Sequence, residues 1–219
     1  MLATINTNLQ LPKGAYREAV FEKRHIVLHY TAGYNAAGAL ATWKKTPSRD
    51  GTAFIVDRDG QVYQVFDPRF WAVHIYRHQA DENPAFYTLE KQSIGIEIVN
   101  LGPLTLGTGD KNKSVLYTYT GKKYCTLADT ALYVQDTWKG KHYWQAYTNA
   151  QYEAVRTLCK ELERDFQIPM NAAPLGDRLN VWDVKALTGY RGVTTHCNYR
   201  KDKFDVGPAF QWAKAGLHE

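Results

Sequence analysis

The first half of the chain contains short apolar runs whose lengths and spacing predict strands. Residues 26–30 (Ile-Val-Leu-His-Tyr) are apolar and β-branched at their start, which predicts a buried strand. Residues 93–99 place isoleucine at every second position, which predicts another strand. Because strand side chains alternate between faces, Gly95 and Glu97 point away from the isoleucine face.

A hairpin and a helix are predicted between these two strands. Two apolar runs within residues 52–66 flank Asp59-Gly60, a pair that tolerates the positive φ of a tight turn. Residues 35–45 carry Leu40 and Trp43 three positions apart, and this spacing favours a helix.

The second half contains the clearest helix of the sequence, over residues 148–166. Thr148 and Gln151 have the spacing of a capping box, and Pro169 lies just beyond the end. The apolar stripe of this helix consists of Tyr152, Val155, Leu158, Leu162 and Phe166. A last helix is predicted to begin near Pro208.

Residues 101–147 show no sustained period and are rich in Gly, Thr, Lys and Tyr, so we interpret them as an irregular surface insertion. Strands and helices elsewhere mix without regular βαβ alternation. The predicted fold class is therefore α/β (α+β), with a central mixed β-sheet flanked by helices. We expect one domain over residues 1–219, with its core at about 24–213.

Composition narrows the functional classes. The chain has 219 residues, 44% of them hydrophobic, which is enough for one well-packed domain. The net charge of +5 is mildly basic, but no Lys/Arg block is long enough to favour nucleic acid. Three cysteines are too few for a disulfide framework and fit a reducing compartment. Residues 1–7 lack the features of a secretory signal, and no apolar run could span a membrane, so we expect synthesis in the cytoplasm.

Two histidines and one carboxylate are candidates for a metal site. His29 ends the first predicted strand, and His196 is followed nine positions later by Asp205, which precedes a rigid Val-Gly-Pro turn. Two imidazoles and one carboxylate make a three-ligand zinc site whose fourth position is open to water, and such a site is catalytic. Each residue alone also has an ordinary interpretation: a structural histidine, a surface-loop histidine, and a cap for the helix near Pro208.

Glu97 is a charged residue in the middle of an apolar strand. Burying it unpaired would cost several kcal/mol, roughly. It is therefore either one partner of a structural salt bridge or a general base whose pKa is set by its surroundings. Cys197 is adjacent to His196 and points away from it in an extended segment, so we do not expect both to bind one metal. His25 and His78 are interpreted as bystanders.

These residues together resemble a known family. His29, the Ser-Ile-Gly-Ile-Glu strand at 93–97, His196 and the Lys-Phe-Asp-Val-Gly-Pro-Ala-Phe segment at 203–210 are similar to the zinc-dependent N-acetylmuramoyl-L-alanine amidases of the amidase-2 type. That group includes the AmpD recycling enzymes, phage lysozyme-amidases and animal peptidoglycan recognition proteins. The resemblance runs in order from about residue 24 to 213.

The resemblance implies a role for each matching residue. His29, His196 and Asp205 correspond to the ligands of one zinc ion, Glu97 to the catalytic acid/base, and Lys203 to a basic residue that faces the developing oxyanion. The last ligand is cysteine in some members, so Asp205 matches the recycling-enzyme branch.

His74 aligns with a histidine at the rim of the family's active site, which implies a substrate-binding role. The family commonly has Trp-His-Ala-Gly there, whereas this chain has Val-His-Ile-Tyr at 73–76. The departure leaves the role of His74 open.

The implied reaction is hydrolysis of the amide between N-acetylmuramic acid and L-alanine in peptidoglycan or soluble muropeptides. A recognition module that binds peptidoglycan without cutting it is the main alternative, and another zinc hydrolase, such as a peptidase, is the second. We expect a monomer with peptidoglycan as its partner, and no nucleic acid or membrane. A phage endolysin of this kind would act on the cell wall after its release from the cytoplasm.

Overall fold

The computed structural model describes residues 4–45, 50–75, 84–108 and 113–218. A six-stranded sheet lies at the centre, in the order β1-β4-β3-β5-β2-β11. Its strands, numbered along the chain, are β1 (Ile5–Asn6), β2 (His25–Tyr30), β3 (Phe54–Val56), β4 (Val62–Gln64), β5 (Ser93–Ile98) and β11 (Gly192–Thr195). Only β3 and β4, the predicted hairpin, pair antiparallel. The predicted mixed sheet is confirmed.

Helices lie around this sheet. They are α1 (Ala36–Lys44), α2 (Pro84–Lys91), α3 (Asn149–Phe166), α4 (Val184–Gly189), α5 (His196–Tyr199) and a 3₁₀ helix, Trp212–Ala215. Asn35 caps α1, and Thr148 with Gln151 forms the predicted capping box of α3. No helix in the described parts of the chain is long and apolar enough to cross a membrane.

The prediction of a helix beginning near Pro208 is wrong. Gly207 has a φ of +73°, and the first helical residue beyond it is Trp212, in a 3₁₀ turn. The Tyr152 hydroxyl donates to the carbonyl of Ala209 and accepts from the N–H of Gln211. These bonds satisfy backbone groups that a helix would have paired internally.

The prediction of an irregular insertion over residues 101–147 is also wrong. This segment forms a second, antiparallel sheet in the order β8-β7-β6-β10-β9. Its strands are β6 (Pro103–Leu106), β7 (Val115–Tyr117), β8 (Lys123–Thr126), β9 (Tyr133–Trp138) and β10 (Lys141–Gln145). These strands are short. Their small apolar core is spread over the β6, β7 and β8 regions and consists of Leu101, Leu104, Leu116 and Cys125. No single strand therefore has enough apolar residues to show the alternation of apolar and polar positions that predicts a strand.

Both faces of the central sheet are buried, and this determines where a polar side chain can emerge. Ile26 and Leu28 of β2 belong to the main core. Val27 faces the other way, into a smaller cluster with Ile75, Leu89, Leu187 and Tyr199. His29 follows on the same face as Val27, at the carboxyl end of β2. The edge of this smaller cluster is where the candidate site lies.

Candidate metal centre

The three candidate ligands converge at the carboxyl ends of adjacent strands. His29 is in β2, His196 directly follows β11, and Asp205 lies in the loop after α5. The Nδ1 atoms of the histidines are 3.0 Å apart, and Asp205 Oδ2 lies 3.0 Å from His29 Nδ1 and 3.1 Å from His196 Nδ1. All three residues are buried. Carboxyl ends of parallel strands are where sites gather in open α/β sheets.

The chemistry of this donor set fits a zinc ion. Zinc bonds of 2.0–2.2 Å in tetrahedral geometry place ligand atoms roughly 3.3 Å apart, close to the observed triangle. His196 Nε2 lies 2.8 Å from the carbonyl oxygen of Ile75 and must donate to it, so its Nδ1 carries a lone pair. Three donor atoms that converge in this way could hold one metal ion between them.

Burial sets the charge state of the ligands. It lowers the pKa of His29 to about 4, against the opposing effect of Asp205, so the ring is neutral near pH 7. Burial alone would raise the pKa of Asp205, but the charges and hydrogen bonds of His196 and His29 lower it well below its usual value. A neutral imidazole and an ionised carboxylate are the forms that bind metal.

Glu97 lies beside the ligands. It is the direct cross-strand partner of His29 in the β2–β5 ladder. Burial, with a smaller effect of the Asp205 charge and against the opposing effect of Lys203, raises the pKa of its carboxyl to about 8. Among the described residues, no hydrogen bond or ion pair engages its side chain, so the salt-bridge interpretation has no support there.

One cleft of about 410 Å³ contains all six residues to which the sequence assigned a catalytic, metal-binding or substrate-binding role. His29, His196, Asp205, Glu97, Lys203 and His74 all line it. Further residues that line this cleft were not predicted as site residues, because no motif marks them: Trp43, Asp50, Thr52, Arg200 and Phe204.

His74 contacts protein on both ring nitrogens. Nδ1 lies 2.9 Å from His29 Nε2, and Nε2 lies 2.8 Å from Ser93 Oγ. Burial lowers the pKa of His74 well below its ordinary value, and the charges of His29 and His196 lower it further. These contacts place His74 between Ser93 and the candidate ligand His29, so both of its ring nitrogens are engaged by protein rather than open to the cleft.

Gly95 makes room for His74. A Cβ at this position would lie 2.6 Å from Cγ2 of Thr52 and 3.0 Å from Nδ1 of His74. The glycine of the Ile-Gly-Ile-Glu strand therefore has a packing reason, because any larger side chain would displace the ring that supports His29.

The second sheet supports the loop that carries Lys203 and Asp205. Lys139, between β9 and β10, donates from Nζ to the carbonyl oxygens of Lys201 (2.8 Å) and Lys203 (2.7 Å). The Tyr147 hydroxyl donates to the carbonyl of Val206 at 2.9 Å. The segment predicted to be irregular thus fixes the backbone next to the third ligand.

Cys197 is not among the converging ligand atoms. Its thiol donates to the carbonyl of Asp205 at 2.8 Å, and burial raises its pKa to about 12. His25 is fully buried at the other end of β2, away from the three ligands. His78 lies outside the described residues.

A protein-family model covers the part of the chain that contains this site. The family model described as N-acetylmuramoyl-L-alanine amidase matches residues 20–208, which include every candidate ligand, Glu97 and Lys203. The chain therefore belongs to the amidase-2 family of N-acetylmuramoyl-L-alanine amidases. No curated protein sequence matches it.

Solved structures with similar folds have low sequence identity. A selenomethionine derivative of AmpD is 19% identical with a TM-score of 0.48, over 96% of this chain and 94% of that one. The amidase LysC from Clostridium intestinale URNW is 11% identical with a TM-score of 0.47, over 96% and 93%. The drosophila peptidoglycan recognition protein SD is 13% identical with a TM-score of 0.47, over 95% and 90%.

Proposed function

We propose that the protein is a zinc-dependent N-acetylmuramoyl-L-alanine amidase. Its substrate is the amide between the lactyl group of N-acetylmuramic acid and L-alanine, in peptidoglycan or in muropeptides. The observation that supports this best is the convergence of His29, His196 and Asp205 beside Glu97 in one cleft. Membership of the amidase family supplies the substrate class.

The residues of the cleft divide the reaction between them. His29, His196 and Asp205 would hold a zinc ion, which would polarise the scissile carbonyl and lower the pKa of water toward ~7. Glu97 takes a proton from the attacking water and delivers it to the leaving amine. The Lys203 ammonium faces the oxygen on which negative charge develops.

A recognition module without activity needs neither a complete ligand set nor a general base. This chain has three buried ligands in hydrogen-bonding range of one another and an unpaired carboxylate directly beside them. A carboxylate with a raised pKa is suited to proton transfer near neutral pH. These features favour the enzyme over the binding module.

The product of the reaction distinguishes the candidates. Zinc-loaded protein is incubated separately with intact sacculi and with a soluble muropeptide, and new amino termini are labelled. We expect L-alanine termini and free lactyl groups from at least one substrate, and the faster reaction identifies the natural form. Termini other than L-alanine would indicate a peptidase. Binding to sacculi with no new termini would identify a recognition module.

Glu97→Gln is the matched control for this assay. It keeps the size of the side chain and the three ligands but cannot accept the proton. Release of L-alanine termini should fall strongly in this variant, and release at the wild-type rate would show that Glu97 is not the general base.

A further inference from the structure

A chain of hydrogen bonds leads away from His29 and ends on a backbone carbonyl. Ser93 Oγ donates to the carbonyl oxygen of Glu90 at 2.9 Å, because a carbonyl can only accept. Its single proton is then used, so Ser93 Oγ accepts from Nε2 of His74. His74 Nδ1 is therefore an acceptor, and it accepts the Nε2–H of His29. Nδ1 of His29 is left with a lone pair.

A different hydrogen bond places the proton of His196 on Nε2, as in His29. Its Nε2–H donates to the carbonyl oxygen of Ile75 at 2.8 Å, which leaves Nδ1 free to bind metal. Ile75 is fully buried, with its side chain packed between Val27 and Leu89. The position of one backbone carbonyl therefore decides which nitrogen of His196 is available.

Glu90 contacts the supports of both His29 and His196. Glu90, near the end of α2, is 2% exposed. Its carboxylate accepts the backbone N–H of His74 at 3.1 Å and that of Ile75 at 2.9 Å. Its own carbonyl receives the Ser93 hydroxyl. One residue thus fixes the backbone that carries both supports and ends the hydrogen-bond chain from His29.

A buried carboxylate costs free energy unless it is hydrogen-bonded and balanced in charge. Here two backbone N–H groups engage it, and the buried ammonium of Lys23 is close enough for the two charges to interact. Lys23 itself donates to the carbonyls of Phe70, Lys91 and Ser93, around the same helix end. These hydrogen bonds anchor Lys23 against the end of α2 and the start of β5.

We infer that Glu90 is the positioning residue of the metal centre. Through its carboxylate and its carbonyl it sets the tautomer and the orientation of both His29 and His196. Hydrogen bonds of this kind to ligand histidines typically change metal affinity by about 10–100-fold. The inference rests on the proposed zinc site and adds to it a residue that touches neither metal nor substrate.

Two variants test the two sets of hydrogen bonds, one that supports His29 and one that supports His196. Glu90→Gln keeps the shape of the side chain but places an NH₂ group opposite one of the two N–H donors. Ser93→Ala removes the hydroxyl between His74 and the Glu90 carbonyl. Glu153→Gln, an exposed carboxylate on α3, is the matched control. Zinc affinity is measured by competition with a chelator, and the histidine tautomers by ¹⁵N NMR on metal-free protein.

We expect zinc affinity about 10–100-fold weaker in Glu90→Gln and Ser93→Ala, and unchanged in Glu153→Gln. In metal-free wild type, both ligand histidines should carry the proton on Nε2. The Ser93→Ala variant should lose this preference at His29, and Glu90→Gln should lose it at His196. Affinity and tautomers like those of wild type in both variants would overturn the inference.

The same measurements distinguish a failure of the proposed function from a failure of the inference about Glu90. A wild-type protein that binds no zinc would refute the metal site, whereas the tautomers of metal-free protein still test the role of Glu90. If Glu90→Gln does not fold, Ser93→Ala decides the question. An unchanged His29 tautomer and zinc affinity in that folded variant overturn the inference.

Discussion

His29 and Glu97 are cross-strand partners in the parallel pairing of β2 and β5. Paired residues in a sheet project to the same face, so the first proposed metal ligand and the proposed general base lie side by side. Their relative position is set by ladder hydrogen bonds of two buried strands. Sites built on such elements are more precise than sites on loops.

The three ligands should depend on one another for zinc binding. We expect about one zinc per chain in the wild type. His29→Ala, His196→Ala and Asp205→Ala should each lose metal and activity together, because two remaining ligands hold zinc weakly. Metal analysis after dialysis measures this, with the exposed His142 replaced by alanine as control. Full activity after exhaustive chelation would refute the zinc hypothesis.

Glu97→Gln should separate the base from the ligands. Because Glu97 is not among the three converging ligand residues, the variant should bind zinc like the wild type. Its turnover should fall by roughly 10²–10⁴, the usual effect of removing a general acid/base. Metal content and kcat are measured on the same preparation. Turnover close to normal would make Glu97 a structural residue.

Lys203 and Lys201 provide a matched pair of lysines. Lys203 lines the cleft, whereas Lys201 is exposed outside it. Lys203→Ala should keep zinc and lose about 10²–10³ in kcat, as when one oxyanion donor is removed. Lys201→Ala should change kcat by several-fold at most. If the two variants behave alike, Lys203 has no part in the reaction.

The Lys203→Ala and Lys201→Ala variants should also differ in how kcat/KM depends on pH. A general base works only when deprotonated, so kcat/KM falls as the pH drops through its pKa. Because the charge of Lys203 lowers the pKa of Glu97, Lys203→Ala should raise that pKa and move the acid limb to higher pH. Lys201→Ala should leave the limb in place. A shift to lower pH would contradict the assignment.

Gly95→Ala should disturb the site by crowding. The added methyl would meet Thr52 and His74, so we expect a loss of about 1–3 kcal/mol in the free energy of unfolding, as for other overpacked cores. Zinc affinity should fall as well, because His74 supports His29. Gly189→Ala, where a Cβ meets nothing within 4 Å, should show neither effect. Denaturant unfolding and zinc competition are the measurements.

Local patterns predicted much of the central sheet and its ligands. The apolar runs of β2 and β5 identified His29 and Glu97 as polar residues in buried strands, and the capping box located α3. The second sheet was missed because its strands are short and its apolar positions few. A capping argument for Asp205 failed because Tyr152 satisfies the backbone where a helix was expected.

Glu90 shows why the support of a site is harder to predict than its ligands. In the sequence it is one acidic residue near the end of an amphipathic helix. Its importance comes from two backbone N–H groups fifteen and sixteen residues earlier in the chain, which only the folded structure brings to its carboxylate. Long-range contacts of this kind leave no periodic pattern.

The parallel pairing of β2 with β11 also has a consequence for synthesis. The two histidine ligands are 167 residues apart, and Asp205 follows later still. A ribosome must therefore release the chain beyond residue 205 before the three proposed ligands can meet. Chains truncated before residue 205 hold no complete centre, so the proposed amidase activity begins only after Asp205 has been added and the chain around it has folded.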